Sequence, residues 1–185
     1  TLLKPTSGTV EVNGLDTVKD GEKVREKIGF LTSEIKLDPN FTPDYLFDFF
    51  GELRNIPKST IKERKEKLFS YFGINDFKHK KIEELSTGMK QKAAIAVSLM
   101  HNPEIIIFDE PTSGLDIITA KSVLDYIKEL KSENKTIIMS THNMTEAEKV
   151  CDRIGIIIDG KLVFHGTIDE VVEKTDAKDL EEAFF

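Results

Sequence analysis

Apolar residues change their spacing along this chain, and each change predicts a different kind of element. Thr9 to Val12 alternates polar and apolar and meets Asn13-Gly14, a hairpin or strand-end signal. Val24 to Leu31 leads into a short strand, Ile28-Gly29-Phe30-Leu31. From Thr42 to about Phe77 the spacing becomes helical. Tyr45, Leu46, Phe49, Phe50 and Leu53 share one predicted apolar face. Ile61, Leu68, Phe69 and Phe72 repeat the pattern, and Gly73 is a stop signal.

Beyond that stretch the elements alternate. A helix is predicted from about Thr87 to Met100, ended by Asn102-Pro103, and then a strand from Ile105 to Asp109. A helix from about Ile118 to Ser132 should bury Val123, Leu124, Ile127 and Leu130. The strand Thr136 to Ser140 comes next, then a short helix whose Thr145 and Glu148 fit a capping box. Two late strands, Ile154 to Ile158 and Lys161 to Phe164, flank the turn Asp159-Gly160. Thr167 and Glu170 should cap a final helix, and the tail Asp179 to Phe185 is amphipathic. Strand–helix–strand alternation predicts an α/β fold with a parallel sheet. The expected organisation is one domain over 1–185: an α/β core in 1–41 and 101–166, a helical subdomain in 42–100, and a C-terminal helix in 167–185.

Composition narrows the function classes. The 185 residues are 39% hydrophobic and 32% charged, which suits one ordinary domain with a sizeable core. No apolar stretch reaches the ~20 residues of a membrane helix, and Thr1-Leu2-Leu3-Lys4-Pro5 has no signal-peptide character. A net charge of −7 argues against bulk nucleic-acid binding. The lone Cys151 cannot form an internal disulfide and suits a reducing compartment.

Three places carry candidate chemistry. The apolar run Ile105 to Phe108 reads as a strand buried on both faces, and it ends in adjacent carboxylates, Asp109 and Glu110. Ligands of open α/β sheets bind at the carboxyl ends of such strands. One carboxylate there suits magnesium; its neighbour can orient or deprotonate a water. In Leu85-Ser86-Thr87-Gly88-Met89-Lys90-Gln91, Ser86 is a good N-cap and Gly88 permits close backbone approach, so a helix end faces an anion. His142, after the strand ending at Ser140, should lie at the same sheet edge as Glu110 and could reach a phosphate. Taken singly, an acidic turn, a plain capped helix and a satisfied polar histidine remain open readings.

In this order and spacing the three places resemble the nucleotide-binding domain of ABC transporters. Leu85 to Met89 is similar to the signature motif, usually LSGGQ. Ile105 to Asp109 is similar to Walker B, with Glu110 as catalytic glutamate, Ser113-Gly114-Leu115-Asp116 as D-loop and His142 as switch histidine. Lys4-Pro5-Thr6-Ser7-Gly8 and the Asp159-Gly160-Lys161 hairpin also match the family. The flavour is that of sodium- and drug-export ATPases.

The resemblance implies a P-loop NTPase-like fold and a set of roles. Two such domains close head to tail around two ATP molecules. Ser86, Thr87, Gly88 and Met89 contact the ATP of the opposite protomer, and Asp116 links the two sites. Asp109 holds Mg2+ through water, Glu110 polarises the attacking water and His142 steadies the γ-phosphate. The implied partners are a transmembrane permease subunit and a second nucleotide-binding domain, with no nucleic acid, at the cytoplasmic side of the cell membrane.

The chain departs from the family pattern in two ways. GxxxxGK followed by Ser or Thr does not occur, and the only Gly-Lys, Gly160-Lys161, precedes Leu162. The expectation is a fragment lacking the N-terminal strands and the phosphate-binding loop, alongside a second possibility, a truncated binding module without ATPase activity. The family's Q-loop glutamine would fall near Ser33, whose hydroxyl is a candidate for magnesium through water. Chromosome and DNA-repair ATPases of the same superfamily carry long coiled coils, and no sustained heptads occur here.

Overall fold

The computed structural model describes residues 3–32 and 37–184. Contacts divide the chain into two compact units, residues 1–139 and 140–185. The division therefore falls late in the chain, not around the helical stretch.

The first unit opens with a hairpin of β1 (Glu11–Val12) and β2 (Leu15–Asp16). Its turn residues Asn13 and Gly14 have φ of 50° and 75°, the conformation for which Asn-Gly is suited. Helix α1 (Gly21–Lys27) leads into β3 (Ile28–Thr32). With β4 (Ile105–Asp109) and β5 (Thr136–Ser140) it forms a parallel sheet of order β3-β4-β5. Thr32 pairs with Asp109, so β3 and β4 end level with each other.

Helix α2 (Pro43–Leu53) starts at Thr42, whose Oγ1 accepts from the Tyr45 amide at 3.2 Å. Its buried face differs from the predicted one. Leu46, Phe47 and Gly51 are buried, whereas Tyr45, Phe49 and Leu53 are exposed. Aromatic residues occupy both sides of this helix, so tertiary contacts chose between them. Phe47 meets Phe69 edge-on at 5.4 Å. Gly51 admits Ile61, whose Cδ1 would lie 2.7 Å from an added Cβ. On the exposed side Phe41, Tyr45 and Phe49 stack on one another at 4.6 and 5.9 Å.

Helix α3 (Lys58–Phe72) buries Ile61, Leu68, Phe69 and Phe72, the predicted set, and ends at Gly73 with φ of 65°. Helix α4 (Thr87–Leu99) is apolar all round from Ala93 to Val97 and is buried there. A helix of that kind belongs inside. It packs against α2 and α3 and also against β3, joining the helical stretch to the sheet. Helix α5 (Ile117–Ser132) buries Val123, Leu124, Ile127 and Leu130 as expected, together with Thr119 and Tyr126.

The sheet corrects one expectation. On β4 Ile106 and Phe108 are buried, but Ile105 and Ile107 are only half-buried. Ile106 shares a cavity wall with Leu68, Leu99, Tyr126 and Leu130, so helices cover that face. The opposite face has no comparable cover among the described residues.

The second unit holds α6 (Met144–Val150), β6 (Ile154–Ile158), β7 (Lys161–Gly166), α7 (Ile168–Thr175) and α8 (Leu180–Phe184). Strands β6 and β7 pair antiparallel around Asp159-Gly160, with a register shift at Ile156/Ile157. Ala147, Val171 and Leu180 form its centre, flanked by Ile154, Ile156, Phe164 and Ile168. The Thr167/Glu170 capping box is present. The one expected at Thr145 and Glu148 is not: Asn143 caps α6, accepting from the Glu146 amide at 3.3 Å. Asn143 is the residue type that most favours an N-cap, which places Thr145 inside the helix. Glu148 instead accepts from the Leu180 amide at 2.8 Å. The region after Thr167 is two helices, parted near Asp176, whose φ is 55°.

Candidate functional site

At the carboxyl end of β4, Asp109 is exposed and Glu110 half-buried. Glu110 has φ of 50°, a sparse conformation for a residue of its type. Backbone held this way clusters at functional sites, where surrounding structure over-determines it. Here the chain turns sharply. The Ser113 amide donates to the Glu110 carbonyl and the Leu115 amide to that of Thr112, both at 3.2 Å. Gly114 supplies a second positive φ, 71°.

The turn delivers Asp116 to the N-cap of α5. Its Oδ1 accepts from the Ile118 and Thr119 amides at 3.0 Å, and its Oδ2 accepts from the Thr119 hydroxyl at 2.8 Å. The Thr119 amide first, and then its hydroxyl, hold the Asp116 carboxyl below the usual carboxylate range. Asp116 is therefore an anion whose oxygens already serve the helix.

Ser86 caps α4 by accepting from the Met89 amide at 3.3 Å. Ser86 and Thr87 are exposed, Gly88 and Met89 half-buried. Gly88 is required by close approach: a Cβ there would sit 3.0 Å from Thr119 Oγ1 and 3.6 Å from Asp116 Oδ2. Gln91, in the same helix, donates from Nε2 to the Pro111 carbonyl at 3.0 Å. The first turns of α4 and α5 and the turn after β4 are thus one assembly. It gathers Ser86, Thr87, Gly88, Met89 and Asp116 beside the turn that Asp109 and Glu110 open.

Two further residues belong to this assembly: Thr119, outside the three candidate places, and Gln91, the last residue of the second. Thr119 follows Asp116 by three positions, where a capping box would carry Glu or Gln, so no signal in the sequence marks it. Gln91 is a polar residue on the threshold of the wholly apolar stretch from Ala93, which is a weak signal by itself. His142 lies in the second unit, exposed, between Thr141 and the helix cap Asn143. Thr141 Oγ1 accepts from the Asn143 amide at 3.0 Å, which bends the chain at His142. Ser33 lies outside the described residues.

Among the described residues no group of three or more His, Cys, Asp or Glu side chains could hold a metal ion by itself. Mg2+ keeps several waters and takes phosphate oxygens, so one or two carboxylates suffice, and the exposed Asp109 fits that role. No helix among the described residues is long and apolar enough to cross a membrane.

Comparison with known proteins assigns the family. A family model described as ABC transporter matches residues 1–113. The ABC transporter ATP-binding protein NatA of Bacillus subtilis is 38% identical over 184 residues, covering 99% of this chain and 75% of NatA. The linearmycin resistance ATP-binding protein LnrL of the same organism is 36% identical over 166 residues. The alignment covers 90% of this chain and only 53% of LnrL, so the chain spans about half of that relative. A solved ATP-binding subunit of an ABC transporter shares the fold with a TM-score of 0.90, over 99% of this chain and 77% of that one, at 24% identity. A dimeric ATP-binding cassette, MJ0796 bound to ADP and Pi, superposes with a TM-score of 0.78 at 28% identity, over 90% of this chain and 75% of that one. With the family model covering more than half of its length and NatA aligned along almost all of it, this chain belongs to the ABC transporter family of ATP-binding proteins.

Proposed function

We propose that this chain is the ATP-binding and ATP-hydrolysing part of an ABC exporter. The reading rests on the turn after β4, where Glu110 holds a positive φ beside the capped first turn of α4. Each side chain has a role in it. Ser86 and the backbone around Thr87, Gly88 and Met89 contact the γ-phosphate of ATP held by an opposite protomer. Asp116 ties that contact to the partner's site. Asp109 would hold Mg2+ through water, with Ser33 a second candidate; the ion neutralises phosphate charge. Glu110 orients the attacking water and takes its proton, and His142 steadies the γ-phosphate. Dimer closure then moves a separate permease subunit at the cytoplasmic side of the membrane. The helical stretch 42–100 is the subdomain that carries the signature turn to the partner.

A second reading has a specific observation behind it. The 185 residues contain no GxxxxGK pattern, and the lone Gly160-Lys161 lies at the β6–β7 turn. Without that loop there is neither an N–H cradle nor a lysine for the phosphates. Under this reading the chain docks on a partner ATPase or a membrane subunit.

A titration of labelled ATP with magnesium separates the two. Binding and hydrolysis by the intact protein support the first reading; silence there supports the second. The 185-residue chain by itself is expected to show no specific hydrolysis. In the intact protein Glu110→Gln should keep ATP binding, trap a dimer and lower turnover by about a hundredfold or more. Turnover at the parent rate would remove Glu110 from the mechanism.

A further inference from the structure

We propose that Gln91 is a positioning residue for Glu110, acting through the carbonyl of Pro111; this rests on the hydrolytic role of Glu110 proposed above. Gln91 Nε2 donates to the Pro111 oxygen at 3.0 Å in a partly buried contact. Pro111, itself buried, is the residue directly after Glu110. Proline has no N–H, so the Glu110–Pro111 peptide can be held only at the Glu110 carbonyl, to which the Ser113 amide donates. The Pro111 carbonyl belongs to the following peptide unit, and Gln91 holds that unit from outside the turn.

The turn needs such a hold. A residue before proline is pushed towards extended backbone, yet Glu110 has φ of 50°. That conformation persists only when the surroundings impose it. The Ser113 amide grips the turn from its own side, at the Glu110 carbonyl. Gln91 grips it from outside, and Gln91 cannot drift. The residues that follow, Ala93 to Val97, are locked in the core, so α4 is a rigid post. The chemistry at position 91 is also specific. A neutral amide donates to a carbonyl oxygen, whereas a carboxylate of the same shape would set negative charge against it. Misplacing a reacting group by about 1 Å can cost on the order of a hundredfold in rate. A contact one residue from Glu110 therefore acts on turnover without touching nucleotide.

The test is Gln91→Glu, with Gln91→Lys as the variant that keeps a donor. In the intact protein Gln91→Glu should lower kcat for ATP at least about tenfold while KM stays within about twofold, and Gln91→Lys should recover most of the loss. In the 185-residue chain, amide exchange at Ser113 and Leu115 should quicken in Gln91→Glu, with exchange along β4 unchanged. A parent-like kcat, or parent-like exchange at Ser113 and Leu115, overturns the proposal. If the unaltered intact protein hydrolyses no ATP, the proposed function falls instead, and the exchange measurement decides the contact by itself.

Discussion

β4 and β5 are neighbours in one sheet and nearly alike as text, yet they are treated differently by the fold. Ile105-Ile106-Ile107-Phe108 and Ile137-Ile138-Met139 are both apolar runs, and each leads to a candidate catalytic group, Glu110 and His142. On β4, Ile106 and Phe108 are buried to 1%. On β5, Ile137 and Met139 are half-buried and Ile138 is 57% exposed. The difference is position. β4 lies between β3 and β5 with helices over one face, while β5 is, among the described residues, an outer strand of the sheet. An apolar run reports that a strand forms; its neighbours decide how much of it leaves water.

The largest stability effect expected from this contrast is on β4. Phe108→Ala should cost about 3–5 kcal/mol, read as a drop in the denaturation midpoint. A loss below about 1 kcal/mol would mean the buried face of β4 is not a core.

A smaller effect lies at the start of the neighbouring strand. His101 Nε2 is 3.1 Å from the Ile28 carbonyl oxygen, which can only accept, so this nitrogen carries the proton. Burial first, and then the charge of Arg54, push the His101 pKa from 6.5 down to about 4 against the pull of that bond, with Arg64 and Lys135 adding less. The unfolded chain thus binds the proton more readily. Stability is complete above pH 6.5 and declines as pH falls towards about 4. The loss should be on the order of 2 kcal/mol, below the full shift because the ring keeps some solvent contact. His101→Gln should flatten that part of the pH–stability profile; an unchanged slope would assign it to other groups.

The smallest effect is expected on β5. Ile138→Lys should change stability by no more than about 0.5 kcal/mol. It should nevertheless reduce self-association of the 185-residue chain in sedimentation, because a charge on an outer strand discourages edge pairing. A cost above about 2 kcal/mol would show Ile138 to be packed, and the contrast with β4 would close.

Much of the site was legible because it is local. Ser86 announces itself as a helix cap, and Asp109-Glu110 mark where an apolar run stops; that Asp116 caps α5 came from the structure. The contact of Gln91 was not legible, since its partner Pro111 lies on another element and nothing in the adjacent residues names it. The face of α2 was missed for a related reason. Phe49 is as apolar as Phe47, and only Phe69 and Ile61 across the gap chose the buried side. The cap of α6 was misplaced because Asn143 and Thr145 both qualify, two residues apart.

By itself the sequence determined most of the elements, their order and the caps at Ser86 and Thr167, because helix and strand periods, turn dipeptides such as Asn13-Gly14 and capping side chains all act within a few residues of each other. Only the tertiary structure decided which apolar faces are buried, the division at 139/140, and the gathering of the α4 turn, the Glu110 turn and Asp116. Those depend on close approach between segments far apart in the chain, such as Gly88 against Thr119, and no local pattern encodes that distance.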